Sequence, residues 1–168
     1  AKMQAQKEEW RKKTQENVKK LEQANIHYNK MQSRLESLKN IAERYEGYGN
    51  SIRCIMEKKE TESGIHGVVA DLIRVKKQYE TAIETALSSN VQNIVTEDEE
   101  TAKRMIRYLK ENRYGRATFL PLTSVGKKEP RRNHEAEQEK GVIGYADHLV
   151  SNDKKYDGIM AYLLGRVL

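Results

Sequence analysis

The sequence is poor in cysteine and proline and has no long apolar run. Its 168 residues include one cysteine and two prolines. Because Cys54 has no second cysteine to pair with, an internal disulfide is excluded, which is typical of proteins from a reducing compartment. No stretch approaches the roughly 20 apolar residues of a membrane-spanning helix, and the first residues lack the apolar core of a secretory signal. These absences predict a cytoplasmic protein that has no membrane partner.

Proline and glycine are both missing from the first 46 residues, which indicates one long helix. With Trp10 as the first seam residue of a heptad repeat, apolar side chains recur four and three residues apart in alternation, while Lys, Arg, Glu, Gln and Asn dominate the positions between. At 1.5 Å per residue such a helix reaches roughly 69 Å. Residues 1–46 are therefore predicted to be a coiled-coil arm. Its seam consists of Trp10, Leu21, Tyr28, Met31, Leu35, Leu38 and Tyr45.

A helix of this kind needs a partner, because a lone amphipathic helix gains little stability from intrinsic propensity. No heptads of matching length follow residue 47. Either two copies of the arm pair with each other, or the partner helix lies outside this sequence. The apolar ending Gly165-Arg166-Val167-Leu168 has the character of a strand that is just beginning, and it supports the expectation that further chain follows.

Basic side chains outnumber acidic ones by 31 to 25, which gives a formal net charge of +6. The excess is concentrated in the arm, where residues 1–46 hold 11 Lys and Arg against 7 Asp and Glu. For the arm lysines a solvated coiled-coil face is favoured over DNA binding, and for the charged segment 126–140 a solvated, exposed loop is favoured, because four glutamates offset its cations. The candidate DNA contacts are Lys12, Lys13, Lys19, Lys20, Arg131 and Arg132.

Residues 47–168 are predicted to form a small mixed α/β globule, which makes the whole chain α+β. Gly47 and Gly49 mark the end of the arm and are expected to turn the chain through left-handed conformations. The periodicity predicts a strand at residues 52–56, a buried strand or short helix at 67–73, an amphipathic helix at 77–87, a strand at 91–95, a strand at 117–120 that Pro121 stops, and short helices at 145–150 and 157–164.

A further helix is predicted between the strands at 91–95 and 117–120. Thr96 and Glu99 have the spacing of a capping box, in which each side chain accepts a backbone hydrogen bond at the start of a helix. Acidic residues follow at once, where the helix dipole favours negative charge. The stripe predicted to be buried consists of Ala102, Met105, Ile106 and Leu109.

The residues that could carry chemistry form no recognisable site. A phosphate-binding loop of the form Gly-x-x-x-x-Gly-Lys-Ser/Thr is missing, so ATP hydrolysis is not encoded in these residues. The four histidines share no metal-ligand spacing with the cysteine or with paired carboxylates. Cys54, between Ile52 and Met56 on one face of its predicted strand, is interpreted as a small core side chain. No catalytic, cofactor-binding or metal-binding residue is predicted, and an enzyme is the minor alternative.

Four segments of the globule stand out. They are Gly-Ile-His-Gly-Val-Val-Ala-Asp-Leu-Ile at 64–73, Tyr-Glu-Thr-Ala-Ile-Glu-Thr-Ala-Leu at 79–87, Gln-Asn-Ile-Val at 92–95 and Gly-Arg-Ala-Thr-Phe-Leu-Pro-Leu at 115–122. In this order they closely resemble the hinge of bacterial structural maintenance of chromosomes (SMC) proteins. The chain departs from the family pattern at Ser88-Ser89-Asn90, where two glycines usually follow the leucine.

The resemblance implies a dimerisation and hinge module of a chromosome condensation and segregation ATPase. Residues 47–168 would be the N-terminal portion of the hinge, and the arm would be the end of the coiled coil that enters it. The implied partners are a second SMC subunit, the returning coiled-coil helix of the same chain, and DNA, at the chromosome or nucleoid in the cytoplasm.

ATP and magnesium would bind in distant head domains, with no cofactor in this part of the protein. The second half of the hinge and the returning helix would follow Leu168. A protein of a different class, one that binds nucleic acid with a basic helical arm, is the alternative.

Overall fold

The structure, a computed structural model, describes residues 2–127 and 129–168. It divides into two compact units, the arm up to Arg44 and a globular unit of Tyr45–Leu168. In chain order, the helices and strands are α1 (Lys2–Arg44), α2 (Asn50–Lys58), β1 (Ile65–Val68), α3 (Val69–Leu72), β2 (Ile73–Val75), α4 (Glu80–Leu87), β3 (Ile94–Thr96), α5 (Glu99–Glu111), β4 (Phe119–Pro121), α6 (His134–Glu137), β5 (Val150–Asn152) and α7 (Asp157–Leu164). Short 3₁₀ segments lie at Lys77–Tyr79, Ser88–Gln92, Ala146–His148 and Lys154–Tyr156.

The arm is one continuous helix of 43 residues, as the missing proline and glycine predict. Its length is about 65 Å at the standard rise per residue. Two local contacts lie along it: the Thr14 hydroxyl donates to the Trp10 carbonyl, and the Lys20 ammonium lies 2.8 Å from the Glu16 carboxylate. Pairs of this kind add only a few tenths of a kcal/mol. In the part of the chain that the structure describes, no helix combines the length and the apolar character needed to cross a bilayer.

The arm ends differently from the prediction. α1 stops at Arg44, and Tyr45 is buried in the globular unit, where its hydroxyl donates to the Asp71 carboxylate. Neither Gly47 nor Gly49 has a positive φ, and Gly49 is extended (φ −60°, ψ 155°) just before α2. The predicted left-handed glycine turn is therefore wrong. Assigning Tyr45 to the seam is also wrong, because this side chain belongs to the core of the globule.

Residues 52–56 lie within helix α2 and do not form the predicted strand. The buried side chains of α2 are Ser51, Ile52, Ile55 and Met56, a spacing that belongs to one face of a helix. Cys54 is half-buried. Five alternating residues are too few to distinguish the helical period from the strand period, and this is the reason for the error.

Two small sheets organise the globular unit. The first has the strand order β1-β3-β4, in which β3 is antiparallel to β1 and parallel to β4. The second is the antiparallel pair of β2 and β5. The apolar run 67–73 contains both structures that its pattern allowed, since it includes the end of β1, all of α3 and the start of β2. Gly67 has a φ of 143° where the β1–β3 register shifts, a conformation that glycine adopts without strain.

The helix predicted over residues 77–87 is confirmed by the 3₁₀ segment and α4, which buries Ile83 and Leu87. The next strand begins later than predicted, at Ile94, because a 3₁₀ segment occupies Ser88–Gln92. Ser88 has a φ of 48°. The serine found where the family usually has glycine therefore holds a conformation that costs a residue with a side chain about 1–3 kcal/mol.

Helix α5 is capped by Asp98 and not by the predicted pair of Thr96 and Glu99. The Thr101 N–H donates to the Asp98 carboxylate at 2.7 Å, and the hydrogen bonds from Thr101 hold the pKa of Asp98 below its ordinary value. Thr96 is buried, and its hydroxyl donates to the Asp98 carbonyl. The Glu99 carboxylate accepts from the Thr123 hydroxyl, which lowers the pKa of that carboxyl. The predicted helix is correct, but its cap lies two residues later.

The buried stripe of α5 consists of Thr101, Ala102, Met105 and Leu109. Ile106 was predicted to belong to it and is 51% exposed. Only three of the four predicted apolar positions therefore contact the core.

Strand β4 starts two residues later than predicted and ends on Pro121. Proline is tolerated there because β4 is an outer strand, where the missing N–H of proline removes no hydrogen bond to a neighbouring strand. Since β3 and β4 are parallel, the chain must cross over between them, and α5 is that crossover.

The C-terminal segment matches its prediction in part. Residues 157–164 form the predicted helix α7. The helix predicted at 145–150 is wrong, because one 3₁₀ turn is followed by β5, in which Val150 pairs with Val75. Residues 165–168, where a strand was expected to begin, contain none; Val167 instead accepts a hydrogen bond from the Ala146 N–H at 2.8 Å.

One cluster of buried side chains connects both sheets to α4 and α7. These helices and strands are short, so the apolar contacts between them provide most of the stabilisation of the globule. The cluster consists of Val69, Ile83, Leu87, Val95, Leu120, Ala146, Val150, Tyr156, Ile159, Met160 and Leu164.

Candidate interaction surfaces

The predicted seam of the arm is exposed along most of its length. Trp10 is 69% exposed and Leu21 63%, and Tyr28, Met31 and Leu35 are likewise exposed. Leu38 is half-buried. Burying one large apolar side chain stabilises a fold by about 1.5–3 kcal/mol, and a repeated row of them can therefore support a second helix. The seam is a surface that another helix can cover.

The candidate DNA-contacting lysines also lie on the arm. Lys12, Lys13, Lys19 and Lys20 are all exposed. Lys20 is paired with Glu16, and because both side chains are about two-thirds exposed (68% and 65%), the pair adds little to stability. The lysines are accessible to a large polyanion.

The charged segment predicted to be an exposed loop is fastened to the globule at its first half. We call residues 126–133 the strap; Lys128, within it, lies outside the described residues. The backbones of Gly126 and Gly158 are so close that a Cβ on Gly126 would lie 2.1 Å from the Gly158 carbonyl oxygen. Pro130 lies against Gly165, where a Cβ would come within 2.6 Å of the proline ring. A freely solvated loop is therefore the wrong description of this half.

Arg132 fastens the end of the strap. One guanidinium nitrogen lies 2.5 Å from the Asp147 carboxylate and the other 2.7 Å from His148 Nε2, and the group stacks over the Tyr145 ring at 5.0 Å. The Tyr145 hydroxyl also donates to the Asn133 carbonyl at 3.1 Å. The Asp147 side chain is only 7% exposed, and its other oxygen is buried without a hydrogen-bond partner among the described residues.

The two arginines of the strap therefore differ. Arg131 is exposed, as a DNA contact requires, whereas the guanidinium of Arg132 is already bound to Asp147, His148 and Tyr145. DNA contact remains a prediction for both. No sequence pattern predicts the Arg132–Asp147 pair, because the two residues belong to irregular segments without periodicity.

A second polar cluster surrounds His66 of β1. Its Nε2 lies 2.8 Å from the Glu97 carboxylate, and its Nδ1 lies 3.0 Å from the Tyr156 hydroxyl. The His66 side chain is 12% exposed. The Lys155 ammonium lies 4.9 Å from the centre of the Tyr156 ring, and its hydrogen bond to Tyr156 raises the pKa of Lys155. Both nitrogens of the imidazole are satisfied, so the cluster ties the first sheet to the turn before α7.

The cysteine and the histidines do not converge. Burial raises the pKa of the Cys54 thiol, and the nearby Glu57 raises it further. Within residues 2–127 and 129–168, no three His, Cys, Asp or Glu side chains are grouped so that they could hold a metal ion.

The strands of the globular unit have open edges. In the described part of the chain, β1 and β4 are the outer strands of the first sheet, and β2 and β5 each have one strand neighbour. An outer strand presents unpaired backbone donors and acceptors that a further strand can satisfy. β2 also borders an apolar groove of about 460 Å³, whose walls include Ile73, Val75, Ile83 and Leu87. These edges and this groove form a candidate surface for another chain segment.

A small α+β unit with open strand edges, preceded in the chain by a long helix whose apolar seam is exposed, has the features of an interaction module that follows a helical arm. The family profile of the flexible hinge domain of SMC proteins matches residues 62–168, and the chain belongs to this family. The four segments that carried the resemblance all lie within the match.

The curated relatives are much longer than this chain. The chromosome partition protein Smc of Bacillus subtilis is 34% identical over 168 residues, which are 99% of this chain and 14% of that protein. The chromosome partition protein Smc of Clostridium kluyveri is 34% identical over 153 residues, which are 88% of this chain and 13% of that protein.

Two solved hinge domains have the same fold. The SMC hinge domain of Geobacillus stearothermophilus, solved as an asymmetric dimer, matches with a TM-score of 0.68 and 36% identity over 86% of this chain and 60% of that chain. The hinge domain of the Pyrococcus furiosus SMC protein matches with a TM-score of 0.55 and 32% identity over 78% of this chain and 68% of that chain.

Replacing Arg132 with methionine tests the strap. Arg132→Met leaves the buried Asp147 carboxylate without its cation, and we expect the free energy of unfolding to fall by about 2–4 kcal/mol. Arg131→Met, at the exposed neighbouring position, should change it by less than about 0.5 kcal/mol. Urea unfolding followed by the near-ultraviolet circular dichroism of the tyrosines measures both. Equal effects would contradict the fastening role of Arg132.

The seam has a matched pair of test positions. Leu21 lies on the seam and Ile26 lies off it, yet the two are about equally exposed, at 63% and 70%. In the full-length protein, Leu21→Glu should destabilise the arm by about 2 kcal/mol or more, because a carboxylate then enters the helix–helix contact. Ile26→Glu should have little effect. Thermal melting of the helical circular dichroism compares them, and a larger loss from the Ile26 variant would refute the heptad assignment.

Proposed function

We propose that this chain is the hinge module of a chromosome partition SMC protein, in which it joins two subunits. The observation that carries the proposal is the hinge-family match over residues 62–168, which covers nearly all of a unit with open strand edges. Support also comes from the names of the relatives, which are chromosome partition proteins, and from the Geobacillus hinge, which was solved as a dimer.

The physical route to joining is strand pairing together with burial of apolar surface. A partner strand on β2 or β4 would satisfy backbone groups that have no partner strand in this chain, and the groove beside β2 would bury aliphatic side chains. The arm would pair separately, with the returning coiled-coil helix of the same subunit. One subunit would therefore use its globule to bind a second subunit and its arm to bind the returning helix of its own chain.

The proposed role involves no catalysis by the residues of this chain. ATP and magnesium would act in the head domains of the complete protein, and the module would hold no cofactor of its own. Its proposed place in the cell is the chromosome.

Analytical ultracentrifugation of the complete hinge, with both helices attached, tests the joining role. We expect a dimer at micromolar concentration, as is ordinary for stable interfaces. The dimer should persist in a Leu21→Glu, Leu35→Glu double variant, because the proposed contact lies in the globule. A monomeric wild-type hinge would refute the proposal. Loss of the dimer in the double variant would assign the contact to the arms and contradict it as well.

DNA contact by the arm is the second candidate function. The net charge of +6 and the exposure of the four arm lysines favour it. Because binding would release counterions, the affinity for duplex DNA should fall steeply with salt, by a slope of about 0.9 in log–log form per neutralised phosphate.

Replacing Lys12, Lys13, Lys19 and Lys20 together with glutamine should flatten this dependence, whereas Arg132→Gln should leave it unchanged, since that side chain is bound to Asp147. Fluorescence anisotropy of labelled duplex and single-stranded DNA at several salt concentrations measures the slopes. A response that does not depend on salt would eliminate the arm as a DNA-binding element.

A further inference from the structure

A cationic groove lies at the C-terminal end of α5, on a part of the globule that the proposed function does not use. Its volume is about 640 Å³. Apolar side chains form one part of its wall and cations the other. They are Ile106, Leu109 and Ala117, and Lys110, Arg113 and Arg116.

The end of α5 holds an arginine in a conformation that favours glycine. The Tyr114 N–H donates to the Leu109 carbonyl at 3.0 Å and the Arg113 N–H to the Lys110 carbonyl at 3.3 Å. These two bonds form a Schellman motif, in which the residue after the C-cap adopts a left-handed conformation and is usually glycine. Arg113 occupies that position, with a φ of 56°. A side chain there costs about 1–2 kcal/mol, so the guanidinium is present against the preference of the backbone.

In the part of the chain that the structure describes, the three cations of the groove have no acidic partner, in contrast to other cations of α5. Lys103 pairs with Glu100 at 2.7 Å, and Arg104 pairs with Glu62 at 3.1 Å. Among the residues that the structure describes, no ion pair joins Lys110, Arg113 or Arg116 to an acid, and all three are exposed. The groove therefore has cationic groups available for a carboxylate or a phosphate.

Aliphatic surface beside the cations favours a peptide over a nucleic acid. Ile106 is 51% exposed in the groove wall. Single-stranded nucleic acids bind by stacking bases on free aromatic faces, and the nearby rings do not offer one. The Tyr108 ring carries the Lys58 ammonium at 4.9 Å and meets the Tyr114 ring edge-on at 5.7 Å. A leucine or isoleucine side chain fits against Ile106 better than a base does.

We propose that this groove binds an acidic peptide segment that carries one aliphatic side chain. Carboxylates of the peptide bind the Arg113 and Arg116 guanidinium groups, which can hold a carboxylate through two parallel hydrogen bonds. The aliphatic side chain covers Ile106 and removes it from water. The partner is thus a protein segment of opposite charge, and the contact is independent of the joining of two hinges.

Helix stability alone explains part of this arrangement. A cation in the last turn of a helix interacts favourably with the negative end of the helix dipole, and this accounts for Lys110. It does not account for arginine at the left-handed position, where glycine would remove the strain. Arg113→Gly separates the two roles, because it relaxes the backbone and deletes the guanidinium at once.

The test measures the binding of fluorescein-labelled peptides to the full-length protein by anisotropy. The probe is acetyl-Asp-Glu-Leu-Asp-Glu-amide, with a second peptide in which serine replaces leucine and an oligothymidine of the same net charge as controls. We expect a dissociation constant of about 10–100 µM for the leucine peptide and about tenfold weaker binding for the serine peptide. Binding of oligothymidine should not depend on Arg113.

Arg113→Gly should weaken binding of the leucine peptide about tenfold while leaving the melting temperature equal to or above that of the wild type. Lys103→Gln, on the same helix but outside the groove, should leave binding unchanged. Absence of peptide binding below about 1 mM, unchanged peptide affinity in Arg113→Gly, or loss of oligothymidine binding in Arg113→Gly would each overturn the proposal. None of these results affects the joining role, which sedimentation measures separately.

Discussion

The apolar stripe along α1 is the constraint on which the architecture depends. A helix about 65 Å long cannot bury such a stripe within its own chain segment, and local ion pairs add too little to replace that burial. In the proposed arrangement, a second helix covers the stripe along most of its length. The polar composition of the whole sequence follows from this, because the remaining faces of the arm must stay in water. A globule with open strand edges follows this arm in the chain. This arrangement suits the proposed module, in which the globule binds a second subunit and the arm binds another helix.

The globule is held together by more than its sheets. Its strands are three or four residues long and provide few ladder hydrogen bonds. Polar clusters, each built around one largely buried side chain, compensate: Arg132 with Asp147 fastens the strap, and His66 with Glu97 and Tyr156 joins the first sheet to the turn before α7. Removing one member of such a cluster leaves a buried polar group without a partner, and this costs more than the loss of an exposed ion pair. Hydrogen bonds and ion pairs between side chains therefore hold the irregular segments of the globule in place, where the strands are too short to do so.

What could be predicted depended on how far apart the determining residues lie in the sequence. The arm, α4, α5 and α7 follow from periodicity over many residues, and the hinge family follows from four segments in order. Predictions that rested on a few residues were wrong. In α2, five residues fit both the helical and the strand period, and in α5 the helix cap is Asp98 and not Thr96. The polar clusters could not be predicted, because their members are separated by 15 residues for Arg132 and Asp147, 31 for His66 and Glu97, and 90 for His66 and Tyr156. No local pattern links residues at such separations.

The single tryptophan of the chain has a useful location. Trp10 is the only one among the 168 residues, and it lies on the exposed seam, while the globular unit contains tyrosines and no tryptophan. The indole emission of these 168 residues therefore originates in the arm and depends on the polarity around the seam. When a neighbouring helix covers that face, the emission maximum moves to shorter wavelength. Eight of the nine tyrosines, all but Tyr28, lie in the globule, and their signal is largely a separate channel. The two units can thus be followed optically in one sample without an added label.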